Sequence, residues 1–234
     1  MPALRLLLSL SLLLVLTGCP KKEDYPLIVP IGFLPPVIIT PSRSTMHRGD
    51  TLWLEASFSD SLLDKNSGRR YRVRPQDLDL RSFIYYTELV GIGQQPIGIA
   101  RTFRLVEEIG HATIDGSSTG SFQPEYDGHT YRARIGLIPT RACITSIVLL
   151  PSPENPVTKT KALDDFLSFI QLPLTAEGRQ QKAVLDDSFY VINDGQANNF
   201  DLFRQYYSAR SFDPGVPDET IIYEQKSTFT IEVK

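Results

Sequence analysis

Hydrophobic and polar positions alternate along most of the chain with a period of two. The pattern is clearest over residues 51–58, where Leu52, Leu54, Ala56 and Phe58 share one side and Trp53, Glu55 and Ser57 the other. Successive side chains of a strand point to opposite faces, so this stretch predicts a β-strand with one face in a core. Period-two stretches recur over 71–74, 83–89, 99–106, 131–137 and 143–150, and the Gly, Asp, Asn, Ser and Pro clusters between them predict turns. In Tyr131-Arg132-Ala133-Arg134-Ile135 the arginines take the outward positions.

The period changes after Pro151-Ser152-Pro153-Glu154-Asn155-Pro156. Leu163, Phe166, Leu167 and Ile170 are spaced by three and four, and Phe200, Phe203 and Tyr207 repeat the spacing behind Asn198 and Asn199, either of which suits a helix cap; two short helices are predicted. Between them Phe189 to Ile192 reads as a strand ending at the turn Asn193-Asp194-Gly195. The chain closes with 220–224 and 228–234, where Phe229, Ile231 and Val233 alternate with Thr230 and Glu232. The expected fold is mainly β. An antiparallel immunoglobulin-like β-sandwich covers 36–150, and a smaller α+β portion covers 157–234, either separate or packed on the same core. No cysteine pair flanks Trp53, so the likeness is one of architecture and not of family.

The N-terminus follows another rule. Arg5 makes the start positive, and Leu6 to Leu16 is an unbroken run of leucine, serine and valine. A membrane span needs ~20 apolar residues, so the run is too short to cross and reads as a signal peptide over 1–18. Six prolines between Pro20 and Pro41 favour extended chain, which makes 19–35 a stalk. Leu27-Ile28-Val29 and Val37-Ile38-Ile39 are too apolar to remain in water, and the second predicts an edge strand docked on a body that begins near Pro36.

Leu16-Thr17-Gly18-Cys19 resembles the lipobox of bacterial lipoproteins. The resemblance implies that the leader is cut before Cys19, that its sulfur is diacylated, and that the new amine is often acylated too. Each buried methylene adds ~0.8 kcal/mol, so two or three chains attach a protein effectively permanently. Lys22-Glu23-Asp24 resembles the export signal of Bacteroidota-type surface lipoproteins, a lysine followed by two acids near the mature start. A charged, solvated spacer is the other reading of that cluster. The implied address is the outer membrane, lipid-anchored at the cell surface, with the periplasmic face as the alternative.

Cleavage would remove Arg5 and leave 23 basic against 27 acidic residues, a formal charge of −4, too mild for a nucleic-acid or polyanion partner. The remaining 216 residues suffice for one large or two small domains. With Cys19 lipidated, Cys143 has no partner for a disulfide, and its apolar run predicts a buried, inert thiol.

Candidate chemistry is sparse. Gly116-Ser117-Ser118-Thr119-Gly120 has the spacing of a nucleophile elbow, but that device needs a strand-to-helix turn with a histidine and an acid behind it. In an all-β stretch it reads as a turn. His47, His111 and His129 lack ligand spacing such as H-E-x-x-H, and neither a metal nor another cofactor is expected. Residues 64–68 resemble the start of a calcium loop, yet Pro75 stands where a bidentate glutamate is required, leaving Asp60, Asp64 and Asn66 as a looser candidate set. Arg48-Gly49-Asp50, just before a strand, reads as a turn. Asp50-Thr51-Leu52 and Asp60-Ser61-Leu62 resemble the O-glycosylation acceptor of exported proteins in the same bacterial group; Thr51 begins a strand, which leaves Ser61 as the candidate.

None of these motifs names a substrate. The expected function is that of a membrane-anchored exported lipoprotein that binds a ligand or partner without catalysis, or serves as an accessory subunit at the cell envelope. Its partners are the membrane, through lipid on Cys19, and a protein or glycan, but not nucleic acid. The alternative is a small surface hydrolase acting on glycans or esters, because the two carboxylates of a glycosidase need only lie ~5–10 Å apart in space. Cys19→Ala is expected to free the protein from the membrane fraction or to stop leader cleavage. Cell fractionation with immunoblotting checks this, and a variant that is processed and sediments like the native chain would remove the anchor.

Overall fold

The computed structural model describes residues 25–89, 102–115, 119–151, 167, 168, 170, 172–185, 189–206 and 226–234. Its strands are β1 (Leu27–Ile31), β2 (Pro36–Thr40), β3 (Thr45–Met46), β4 (Leu52–Ser59), β5 (Ser61–Leu63), β6 (Arg70–Arg72), β7 (Ser82–Glu88) and β8 (Phe103–Ile109). They continue with β9 (His111–Asp115), β10 (Thr119–Gln123), β11 (Glu125–Tyr126), β12 (Thr130–Pro139), β13 (Cys143–Pro151), β14 (Gln181–Leu185), β15 (Val191–Ile192) and β16 (Thr228–Val233). One helix, α1 (Phe200–Tyr206), is delimited among the described residues. The protein is mainly β.

Two compact units divide the chain, Met1–Val29 with Leu172–Lys182 and Pro30–Gln171 with Ala183–Lys234. The second holds two six-stranded sheets. One runs β3-β16-β13-β7-β10-β9; the other runs β11-β12-β4-β2-β15, with β8 also on β12. Neighbours are antiparallel except at β16–β3 and β15–β2, which are parallel.

The alternation read in the sequence decides which side chains meet. β4 buries Leu52, Leu54 and Ala56, and β12 buries Ala133, Ile135 and Leu137. They join Ile84, Tyr86, Ile147, Leu149, Phe229 and Ile231 of the other sheet in one apolar core. Residues of opposite parity on β13 face away from that core, and there Ile144 packs with Leu89 and with Phe200 and Phe203, one turn apart on α1. On the outer side of β4, Trp53 lies opposite Gly136 of β12. A Cβ at Gly136 would come within 3.1 Å of the indole, so the glycine makes room for it. Arg134 stacks on the same ring at 4.1 Å and pairs with Glu55 at 2.9 Å and with Glu108.

Several expectations change in three dimensions. β2 is not an edge strand: β15 adds in parallel on its free side, through Val191 opposite Pro36 and Ile192 opposite Val37. That pairing joins residues far apart in the chain and leaves no local signature. The strand expected over 189–192 shortens to its last two residues, while the turn after it forms with Asn193, Asp194 and Gly195 all at positive φ. Asn199 precedes α1 but does not cap it with its side chain, whose amide donates to the carbonyls of Arg43 (3.2 Å) and Thr230 (2.9 Å). Most of the helix expected over 163–170, the strand over 220–224 and the start of 99–106 lie outside the described residues.

The final strand is interior to its sheet, with Phe229 opposite Ile147 and fully buried. Phe229→Ala is expected to cost ~3–5 kcal/mol, a large share of a typical domain's stability, read as a lower denaturant midpoint. The Tyr86 hydroxyl runs the other way. It is buried with no hydrogen-bond partner among the described residues, and because such a group costs ~1–3 kcal/mol, Tyr86→Phe is expected to raise the same midpoint.

Candidate functional site

Proline and an Asx turn shape the hairpin that carries the site. Pro124 leads into β11, and the Asp127 carboxylate then accepts the N–H groups of His129 at 3.0 Å and Thr130 at 2.8 Å, turning the chain into β12. These donors hold Asp127 below its ordinary range. The turn sets Tyr126 against Tyr131, with ring centroids 4.7 Å apart, and Tyr131 stacks in turn on Phe58 at 5.3 Å. Phe58 continues to Tyr190 at 6.2 Å and Tyr190 to Phe122 at 5.4 Å, so a row of five rings runs from the hairpin into the core.

Two of these rings also hold the segment facing the hairpin. The buried Tyr131 hydroxyl donates to the Val73 carbonyl at 3.0 Å, and the buried Tyr190 hydroxyl donates to that of Leu80 at 2.9 Å. A cavity of about 290 Å³ opens between that segment and the hairpin, lined by Asp79, Arg81, His111, Gln123, Glu125 and Tyr126 among others. Glu125 is set by Gly110, whose N–H donates to it at 3.1 Å. Gly110 has φ +81°, and a Cβ there would come within 2.8 Å of the Gln123 carbonyl, so another residue would distort this wall. Asp79 accepts the Arg81 N–H at 2.9 Å, and its carboxylate lies 3.6 Å from the guanidinium.

Beside the cavity, Asp60 accepts Arg72 Nε at 2.8 Å and the Tyr126 hydroxyl at 2.7 Å. Arg72, then Tyr126, draws Asp60 below its ordinary range against the opposing effect of burial. Burial, then the hydrogen bond to Asp60, pushes Tyr126 up. The phenol is neutral at physiological pH. It has one proton for two acceptors, since the Gly128 carbonyl also lies 2.7 Å away.

Asp64 explains why the looser calcium set fails. Its carboxylate has no exposed surface and accepts the N–H groups of Gly32 (2.9 Å), Ser67 (2.8 Å) and Asn66 (3.3 Å). Asp60 is occupied by Arg72 and Tyr126, and Asn66 Nδ2 donates to the Pro30 carbonyl. The three residues spend their oxygen atoms on protein donors or turn a donor toward the backbone, and no cluster of metal-ligating residues occurs among the described residues.

The other candidates are dispersed. Cys19, Lys22, Glu23 and Asp24 lie outside the described residues. Ser61 opens β5, its N–H bonded to Ser59 Oγ and its carbonyl to Arg70. Gly120 of the elbow-like motif lies inside β10, opposite Ile114 of β9, so the chain there passes from strand to strand and not into a helix. Asp50 accepts the His47 N–H and the Arg43 guanidinium, closing the turn expected at 48–50. Burial raises the half-buried Cys143 thiol to about 11, an unreactive form. Of the three histidines, His111 alone lines the cavity.

No family model and no curated protein matches this chain. Its site is therefore read from its geometry.

Tyr126, Glu125, Gln123, Asp79 and Arg81 carried no motif. The legible hint was Pro124 followed by Asp127-Gly128, a strand break and a turn signal that predict a hairpin but not what it faces.

The Asp64 geometry has a pH consequence. Burial opposes ionisation, but the Ser67, Gly32 and Asn66 donors outweigh it and hold Asp64 below its ordinary 3.8. The folded state then binds its proton less readily than the unfolded state, so Asp64 contributes stability above pH 3.8 that is lost as pH falls below it. Asp64→Asn is expected to lower stability at pH 7 and to flatten the decline on the acid side, checked by denaturant midpoints across pH 2–7.

Proposed function

We propose that this chain is a lipid-anchored, exported envelope protein whose immunoglobulin-like β-sandwich body binds a small glycan unit in the Tyr126 cavity without catalysing a reaction. The Leu16-Thr17-Gly18-Cys19 lipobox supports the anchor, and Lys22-Glu23-Asp24 supports the cell surface over the periplasmic face. Two sheets sharing one core, with antiparallel neighbours throughout most of both, support the sandwich. A cavity lined by tyrosine, histidine, glutamine, arginine and two carboxylates offers both the apolar ring face and the donors and acceptors that a sugar presents in return.

The observation that carries binding over catalysis is the state of the acids. Glu125 is an acceptor for a backbone N–H, and Asp79 lies beside the Arg81 guanidinium. A glycosidase needs a carboxyl free to reach the leaving-group oxygen, whereas these two are engaged with protein donors.

Calorimetry of the soluble body against a panel of neutral and acidic oligosaccharides is expected to find a binder. His111→Ala, at an exposed position that leaves the core intact, is expected to weaken it about tenfold, the effect of ~1.4 kcal/mol. Release of reducing ends, abolished by Glu125→Gln, would transfer the site to the hydrolase reading. Absence of any binder would remove the cavity as the ligand site.

A further inference from the structure

Exposed apolar side chains concentrate in the small unit whose described residues are 25–29 and 172–182. Tyr25 is 70% exposed, Leu27 44%, Ile28 53% and Leu174 62%, whereas Ile38, Leu63, Tyr85 and Ile109 are scattered singly over other strands. Local hydrogen bonds gather the four. Leu27 N–H donates to the Gln180 carbonyl at 2.8 Å, and the Arg179 guanidinium donates to the Tyr25 carbonyl at 3.2 Å. Thr175 N–H donates to the Arg179 carbonyl at 3.0 Å, closing the turn that Leu174 enters. Adjacent residues of a strand point to opposite faces, so exposed Leu27 and Ile28 leave apolar surface on both faces of the β1 ribbon.

We propose that this unit rests in the headgroup region of the bilayer that carries the anchor, with Tyr25, Leu27, Ile28 and Leu174 in the interface and Arg179 and Lys182 toward lipid phosphates. The proposal rests on acylation of Cys19. Tyr25 stands six positions after Cys19, and at ~3.3–3.6 Å per residue the lipid holds the unit within about 20 Å of its own attachment point. The headgroup regions themselves add roughly 10–15 Å to a ~30 Å hydrocarbon core, so the patch is never far from them. A short tether raises the effective concentration to the millimolar range, where a weak contact is occupied. Tyrosine at the interface, aliphatic side chains below it and cations beside phosphates is the arrangement that suits this depth. Arg179 and Lys182 outnumber Glu177, the acid of the 172–182 segment, which favours an anionic leaflet. The lipid supplies the attachment, and the ribbon, apolar on both faces, enters the interface beside it.

The test uses the full chain, purified from membranes and reconstituted into phosphatidylethanolamine–phosphatidylglycerol vesicles. Trp53 is the chain's one tryptophan, so Leu174→Trp in a Trp53→Phe background reports from a position distant in sequence from the lipid. Sedimentation with vesicles reads the anchor, and emission at position 174 reads the patch. The expected result is co-sedimentation with a shift to shorter wavelength and quenching by lipids brominated in the acyl chain. Adding Leu27→Glu and Ile28→Glu, both at exposed positions, is expected to abolish the shift while sedimentation and thermal midpoint stay unchanged. Co-sedimentation with water-like emission would overturn the proposal. A blue shift that brominated lipid does not quench would also overturn it, assigning the patch to a protein partner or a second copy. Protein that neither sediments nor is quenched would remove the anchor, and the patch with it.

Discussion

Residues 73–81 connect β6 to β7 without a partner strand, and backbone carbonyls buried there need donors from outside any ladder. Tyr131 and Tyr190 meet that need. Each buries its ring in the aromatic row and sends its hydroxyl to the segment, one to Val73 and the other to Leu80. The cavity wall is thereby fixed to the core at two points. Without these hydroxyls the carbonyls would each lack a partner at ~1–3 kcal/mol, and Asp79 and Arg81 would no longer be held opposite Glu125 and Tyr126.

Three aspartates among the described residues hold neighbouring backbone and side chains in place. Asp64 folds the 64–68 turn under Gly32, Asp127 folds the hairpin turn, and Asp60 joins Arg72 to Tyr126. Each carboxylate gathers donors, and each is held ionised as a result. The ion pairs on the outer sheet face work differently. Arg134 with Glu55 and Glu108 is half in solvent, where a pair contributes ~0–1 kcal/mol, so its stacking on Trp53 and its cross-strand placement help hold the register of β4 and β12 more than they add stability.

On the reading proposed above, anchor and body divide the work that this chain asks of physics. The proposed leader and the proposed acylation of Cys19 would need no tertiary structure, because a signal peptide is recognised as an extended chain. The cavity needs several elements brought to one place: the start of β9, the end of β10, β11 and the segment before β7. The proposed membrane-facing patch lies between these cases, since Tyr25 and Leu27 are six and eight positions from Cys19 while Leu174 arrives only through the turn at 175–179.

Local periodicity by itself marked strands over 51–58, 83–89, 131–137, 143–150 and 228–234 and most of the apolar side chains they bury, because a strand's inside and outside are written at every second position; it did not show that Thr228 and Thr230 of β16, or Thr145 and Ser146 of β13, are buried too. Hydrophobic spacing likewise placed α1, and Asn193-Asp194-Gly195 placed its turn. Tertiary structure alone decided that β2 lies between β4 and β15, that β16 enters its sheet beside β13, and that Asn199 anchors rather than caps. It also decided that Asp60 and Asp64 serve protein donors instead of a cation. The physical reason is the same in each case: strand pairing and hydrogen-bond partnership join residues tens of positions apart, and no local pattern records which distant donor a carboxylate or a sheet edge will meet.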